Sequence, residues 1–204
     1  MFKLMRGDLA RAAPNAVELA RLARDHDLLQ WRAFGLFLEG AATADGRALG
    51  DGLADMRRGV ELLREQNVLI FHGLIGIALA EAEERAGDVD RALAVLDKAL
   101  ATSERTGHRT FDAELNRIRG EMLLRRDPRN PAPAEAAFGR AMEIAGGQGT
   151  RSFGLRAALS LAKLYQSTAR PADAHAVLEP ALEGFAPTPE MPEIAEAQVL
   201  LKQL

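Results

Sequence analysis

Apolar residues recur along this chain at the three-to-four-residue spacing of helices that bury one face. In the segment LAEAEERAGDVDRALAVLDKAL, residues 79–100, one apolar stripe ends before Gly87 and another begins at Ala92. Gly87 can end a helix in the left-handed conformation, and the side chain of Asp88 can cap the next helix. The segment therefore predicts two helices joined by a tight turn.

The same reading along the whole chain predicts an all-helical protein. Gly46, Gly107 and Gly149 are expected to close three of the helices, and Pro171 suits the first turn of another. The predicted helices cover residues 14–26, 28–45, 48–65, 68–86, 88–106, 109–126, 131–147, 151–168, 171–184 and 190–203.

This helical hairpin repeats with a period of 40 to 42 residues. Each copy has a small residue in its first helix, followed in the second helix by a small, a large and a small residue. The four copies are Gly40, Gly52, Met56 and Gly59; Ala80, Ala92, Leu96 and Ala99; Gly120, Ala134, Phe138 and Ala141; Ala162, Ala174, Leu178 and Ala181. Antiparallel helices approach closely where a side chain is small, and the larger residue fills the space beside the crossing.

One hairpin cannot bury its faces alone, so neighbouring hairpins are expected to stack. We predict an all-α fold, a right-handed superhelical solenoid of antiparallel helix hairpins with a period of about 40 residues. A single domain, 1–204, would hold a half repeat, four repeats and a C-terminal capping helix. Their bounds are about 1–27, 28–66, 67–107, 108–149, 150–186 and 187–204. The half repeat lacks a partner helix, so homo-oligomerisation through it is one expectation.

An aromatic residue stands nine positions before each small anchor of the first helices. These residues are Trp31, Phe71, Phe111 and Phe153. We expect each ring to wedge its helix against the preceding hairpin as part of the core. A ladder of stacked rings along a groove is the alternative.

Composition narrows the class of protein. The net charge of −3 and the absence of a basic stripe speak against nucleic acid as a partner. Cysteine is absent, so the chain forms no disulfide. The most apolar run, VLIFHGLIGIALA at 68–80, is too short for a membrane span of about 20 residues. We therefore expect a cytoplasmic protein without a membrane partner.

Residues with catalytic or metal-binding potential do not form a familiar constellation. AGGQGT at 145–150 lacks the strand and the Lys-Ser/Thr of a phosphate loop, so we interpret it as a helix end. His26 fits a solvated turn better than a metal site, and His72 fits a hydrogen-bonded core position better than a ligand. Ser152 and Ser160 have no nucleophile-elbow context. We expect no enzyme activity, no cofactor and no metal.

The repeat resembles a tetratricopeptide array, through LAKLY with Ala162 and Tyr165 and through the small/large/small signature of each second helix. Its period departs from the 34 residues of the standard motif. Runs such as AELNRIRGEMLLRR are similar to the C-terminal repeat region of bacterial multidomain cyclase/ATPase-type signalling regulators. The resemblance implies a regulatory or binding role.

In tetratricopeptide repeats the first helices line a concave groove, so the resemblance implies groove positions in this chain. They are Phe34, Phe37, Glu81, Glu84, Glu114, Arg117, Glu121, Arg156, Lys163 and Gln166. Two pairs share a register in adjacent hairpins, Glu114 with Arg156 and Glu121 with Lys163. They are either ordinary ion pairs between repeats or a charged surface offered to a ligand.

The expected function is that of a non-catalytic interaction domain that binds a protein or peptide partner in its groove or packs against signalling domains. Two alternatives stay open at this point. The chain could sense a small molecule in the same groove, or it could be a self-associating structural module.

Overall fold

The structure, a computed structural model, describes residues 9–44, 48–188 and 191–204. These residues form ten α-helices and no strand. They are α1 (Leu9–Asp25), α2 (Leu29–Thr43), α3 (Leu49–Glu65), α4 (His72–Arg85), α5 (Val89–Thr106), α6 (Asp112–Arg126), α7 (Ala132–Gln148), α8 (Arg151–Ser167), α9 (Pro171–Leu182) and α10 (Pro192–Leu201). The predicted all-α fold is confirmed.

The chain divides into two compact units, Met1–His108 with α1 to α5 and Arg109–Leu204 with α6 to α10. The division falls at the predicted border between the second and third repeats. Each unit contains two of the predicted hairpins. The arrangement of all repeats in one domain stays a prediction.

Close helix crossings hold the hairpin of α2 and α3 together. A Cβ atom built on Gly40 would lie 2.5 Å from the carbonyl oxygen of Gly52, and one on Gly59 would lie 2.9 Å from the carbonyl oxygen of Ala33. Residue numbers rise along one helix as they fall along the other, so the two helices are antiparallel. The predicted role of these glycines is confirmed.

The same anchor positions are buried in the other hairpins, except that Ala181 is half-buried. A Cβ atom on Gly120 would meet the ring of Phe138 at 2.5 Å. The predicted large residues of the second helices all lie in the core, and they are Met56, Leu96, Phe138 and Leu178. Each large side chain thus lies in the core beside the small anchors of its hairpin.

Helix ends recur with the same period. Asp27, Asn67, Gly107 and Gly149 follow α1, α3, α5 and α7 in the left-handed conformation. Asp88 caps α5, because its carboxylate accepts a hydrogen bond of 2.9 Å from the backbone N–H of Arg91. The predicted turn chemistry at Gly87, Asp88, Gly107 and Gly149 is thus confirmed.

The first helix is longer than the sequence predicted. It begins by Leu9 instead of at residue 14, and Pro14 lies inside it. An interior proline removes one backbone hydrogen bond and crowds the preceding turn, yet the helix continues through Pro14. Predictions on Gly46, on residues 1–8 of the half repeat and on residues 189 and 190 fall outside the described residues.

The aromatic column is less buried than predicted. Trp31 and Phe71 are 44% and 40% exposed, and Phe111 and Phe153 are half-buried. All four rings stand at or just before the start of a helix, where the hairpins end and cover less surface. The rings of Phe111 and Phe153 lie 6.3 Å apart, as in one step of the alternative ladder.

In the part of the chain that the structure describes, every helix is too short or too polar to cross a bilayer.

Gly40→Ala should lower the free energy of unfolding by about 1–3 kcal/mol, because the new methyl group meets backbone atoms that cannot move aside. Gly50 offers a matched control in α3, since a Cβ atom there meets nothing within 4 Å. Gly50→Ala should raise the free energy of unfolding by up to ~1 kcal/mol. Urea titrations followed by circular dichroism measure both variants. Equal effects of the two substitutions would contradict the close crossing.

Candidate functional site

Four of the predicted charged residues of unit 2 form one connected network with Glu193 on α6, α8 and α10, and they are Glu114, Arg117, Glu121 and Arg156. Arg117 donates two hydrogen bonds to Glu114, of 2.9 Å to Oε2 and 2.8 Å to Oε1. Its Nη1 also donates to Oε1 of Glu121. The side chains of Arg117 and Glu114 are largely buried, so this bidentate pair is shielded from solvent.

Arg156 links three helices of this network. Its Nη1 lies 3.4 Å from Oε1 of Glu114 on α6, and its Nη2 lies 2.8 Å from Oε1 of Glu193 on α10. The predicted pairing of Glu114 with Arg156 across adjacent hairpins is confirmed. Each charged side chain of this network therefore has an oppositely charged side chain beside it.

The second predicted pair is wrong. Lys163 binds Glu196 on α10 at 2.7 Å, while Glu121 binds Arg117 and accepts a hydrogen bond of 3.1 Å from Ser160. Helix α10 lies beside α8 and supplies the nearer carboxylate for Lys163. Gln166, the remaining predicted residue of this face, is exposed.

The predicted aromatic contacts of unit 1 are buried. Phe34 and Phe37 are 4% and 1% exposed, so no partner can reach these rings in this structure. Helix α2 packs against α1 as well as α3, because a Cβ atom on Gly35 would lie 2.9 Å from the Cα atom of Ala20. Phe37 faces α3, because a Cβ atom on Gly59 would lie 2.9 Å from the Cβ atom of Phe37. Packing within unit 1 therefore covers positions that the resemblance assigned to an open groove.

An ion pair that sequence reasoning missed joins the two hairpins of unit 1. Glu83 is 1% exposed and binds Arg57 at 2.6 and 2.8 Å, whereas the predicted Glu81 and Glu84 are exposed and half-buried. The hydrogen bond to Glu83 raises the pKa of Arg57. Glu83 follows Leu79 by four residues, so its place on the buried stripe of α4 could have revealed it.

His72 makes two hydrogen bonds in unit 1. Nδ1 lies 2.8 Å from the carbonyl oxygen of Leu69, and Nε2 lies 2.9 Å from Oγ of the buried Ser103. The predicted hydrogen-bonded role is confirmed, although the ring is half-buried.

Tyr165 is the centre of a polar cluster in unit 2. Its hydroxyl donates a 2.8 Å hydrogen bond to Glu135, and the guanidinium of Arg170 lies 4.0 Å from the centre of its ring. Burial, followed by the hydrogen bond to Glu135, raises the pKa of Tyr165. This cluster fastens the turn between α8 and α9 to α7.

Five large apolar side chains are exposed at one end of unit 1, and we call them the apolar edge. They are Leu28, Leu29, Trp31, Ile70 and Phe71. Helices α2 and α4 are the first helices of successive antiparallel hairpins, so both begin at this end. Exposed apolar side chains gathered in one place are typical of a binding surface.

The backbone at Phe71 supports a special role for this edge. Phe71 has a φ of 64°, in the left-handed region that a residue with a bulky side chain rarely adopts. A residue in that region costs on the order of 1 kcal/mol. The structure thus tolerates strain while it keeps the Phe71 ring 40% exposed.

Comparison with curated proteins gives a similarity over most of this chain. The chain is 30% identical over 159 residues to an uncharacterized protein of Rhizobium meliloti (strain 1021). The match covers 78% of this chain but only 15% of the length of that relative. No family model matches the chain.

Arg117→Met should lower the free energy of unfolding by about 3 kcal/mol, because Glu114 loses its bidentate partner while it stays buried. Lys163→Met is the control, since that ion pair is half-exposed and should change the stability by less than about 1 kcal/mol. Urea unfolding of both variants decides. A similar small loss in each would show that the network does not stabilise unit 2.

Tyr165 is the only tyrosine, so ultraviolet absorbance of tyrosinate reports its titration alone. Its midpoint should lie above about 10. Glu135→Gln should lower the midpoint and Arg170→Ala should raise it, because Glu135 raises and Arg170 lowers the pKa of Tyr165. Glu143→Gln, on the same helix, is the control and should leave it unchanged.

The folded state holds the Tyr165 proton more tightly than the unfolded state. Its contribution to stability is therefore complete below the unfolded pKa and is lost as the pH rises through the folded pKa. Stability that stays constant over this alkaline range would contradict the assignment.

Proposed function

We propose that this chain is a non-catalytic interaction domain of tetratricopeptide type, whose hairpins stack into a right-handed superhelix and whose apolar edge binds a protein partner. The exposed apolar edge carries this proposal. The edge replaces Phe34 and Phe37 as the anchor for the partner, because those two rings are buried.

Recurrence of the hairpin supports the superhelical arrangement. Small anchors, large core residues and left-handed helix ends return every 40 to 42 residues, so each hairpin presents similar surfaces to its neighbours. Equal units that contact their neighbours in equal ways generate a solenoid. The ion pairs Arg57–Glu83 and Glu114–Arg156 join successive hairpins within their units.

The apolar edge has the composition of an interaction anchor. Trp31 and Phe71 are of the large aromatic type that interfaces favour, and Leu28, Leu29 and Ile70 surround them with aliphatic area. Burial of such side chains contributes roughly 25 cal/mol per Å² of apolar surface. A few well-covered residues are sufficient to dominate an interface.

The charged network of unit 2 offers a partner little binding affinity. Glu114, Arg117, Glu121 and Arg156 already bind one another, so a partner would have to displace those contacts. We therefore assign the affinity for a partner to the apolar edge and not to this network.

The similarity to the protein of Rhizobium meliloti supports a role beside other domains, because the similar segment there is part of a much longer polypeptide. Its matching segment is 15% of its length, so most of that protein lies beside the similar region. We propose packing against companion signalling domains as the role of the apolar edge. Self-association through the half repeat is the second candidate, which the exposed Val17 and Leu22 of α1 favour.

A photo-crosslinking amino acid placed at position 29, 70 or 199 tests the edge in the native cytoplasm. Leu29 and Ile70 belong to the edge, whereas Val199 is equally exposed but stands on α10 of unit 2. We expect the same discrete protein adduct at positions 29 and 70 and none at position 199. Adducts to the chain itself would favour self-association.

The captured protein, once purified, allows an affinity measurement. Ile70→Ser should weaken binding about tenfold, a loss of about 1.4 kcal/mol, and Val199→Ser should leave it unchanged. Identical adducts at all three positions, or equal affinity of the two serine variants, would contradict the proposed edge.

A further inference from the structure

A cavity of about 100 Å³ lies within unit 1 between α3, α4 and α5. Its walls are mainly apolar. Six of the lining residues are Val60, Leu63, Ile75, Leu79, Val95 and Ala99. An apolar space of this kind accepts a hydrocarbon group more readily than water, because water would find few hydrogen-bond partners.

Two cations stand at this otherwise apolar cavity. Arg64 of α3 and Lys98 of α5 are exposed and line it, and its lining contains no acidic residue. Among the residues that the structure describes, no ion pair or hydrogen bond engages the charged end of either side chain. Arg57 and Arg117, by contrast, are paired with carboxylates at their helix contacts.

The other polar side chains at the cavity are already hydrogen-bonded within the protein, so Arg64 and Lys98 are the groups that can bind a ligand. His72 lines the cavity, but both of its ring nitrogens already contact Leu69 and Ser103. The hydroxyl of Thr102 donates to the carbonyl oxygen of Lys98 at 2.9 Å. A ligand here would meet apolar walls and two exposed positive charges.

We propose that this cavity binds a short-chain aliphatic monocarboxylate. The hydrocarbon tail would occupy the apolar space between α3, α4 and α5, and the carboxylate would lie between Arg64 and Lys98. A cavity of about 150 Å³ can hold benzene, so the smaller space here fits a tail of roughly three to five carbon atoms. Charge-assisted hydrogen bonds from two cations would select an acid over a neutral molecule of equal size.

This site is independent of the apolar edge, because its lining residues differ from those five side chains. Either proposal can fail while the other stands.

Isothermal titration calorimetry of the purified full chain with pentanoate tests the site. Acetate is the control without a tail, and 1-pentanol is the control without a charge. We expect pentanoate to bind, 1-pentanol to bind roughly tenfold more weakly, and acetate to show no measurable heat. Methyl resonances of Ile75 and Leu79 should shift with pentanoate in nuclear magnetic resonance spectra.

Substitutions of Arg64 and Lys98 separate the contribution of charge to pentanoate binding from the contribution of the cavity's shape. Arg64→Gln and Lys98→Gln should each raise the Kd for pentanoate roughly five- to tenfold. Arg105→Gln, an exposed cation of α5 outside the cavity, should leave the Kd unchanged. Circular dichroism spectra that match the parent chain establish that these surface variants fold.

Three results would overturn the proposal. They are the absence of pentanoate binding, equal affinity for 1-pentanol and pentanoate, and an unchanged Kd in both glutamine variants of the cavity. Methyl shifts that leave Ile75 and Leu79 unaffected would place the ligand elsewhere and reject this cavity as well.

Discussion

Close approach of paired helices at positions without bulky side chains is the constraint on which this structure depends. At the crossing of α2 and α3, Gly40 and Gly52 bring two backbones so near that a Cβ atom on either glycine would clash. The contact sets the register of the hairpin, and the register places Met56 beside the crossing, where it is buried. The same relation holds between Gly120 and Phe138 in unit 2. The sequence pattern repeats about every forty residues because each hairpin needs small residues at the same helix crossing.

Polar contacts between hairpins add specificity to this apolar packing. Glu83 is buried and held by Arg57, and Glu114 is buried and held by Arg117 and Arg156. A buried charge without a partner is costly, so each pair favours the one arrangement of hairpins that keeps it together. Charges that are already satisfied in this way offer little affinity to an incoming molecule. Binding energy must therefore come from apolar surface elsewhere.

The connection between α3 and α4 unites the two surfaces to which we assign binding. Val68 and Leu69 line the cavity, while Ile70 and Phe71 extend into the apolar edge. Backbone strain at Phe71 lies where this connection enters α4. Because this connection is short, neighbouring residues of one segment line the cavity and form part of the apolar edge. Its geometry is set by the hairpins on either side.

Local chemistry by itself determined the helices, their turns and the small anchors, because spacing, glycine and capping residues act over a few neighbouring positions. Even the pair of Glu114 and Arg156 followed from a shared register. Which helix covers which face depends on contacts distant in sequence, and only the tertiary structure decided it. Helix α2 packs against both α1 and α3, which leaves Phe34 and Phe37 buried, and Lys163 pairs with Glu196 of α10 instead of Glu121. A periodic pattern predicts whether a helix face is apolar or charged. Which neighbouring helix packs against that face depends on the packing of the whole unit.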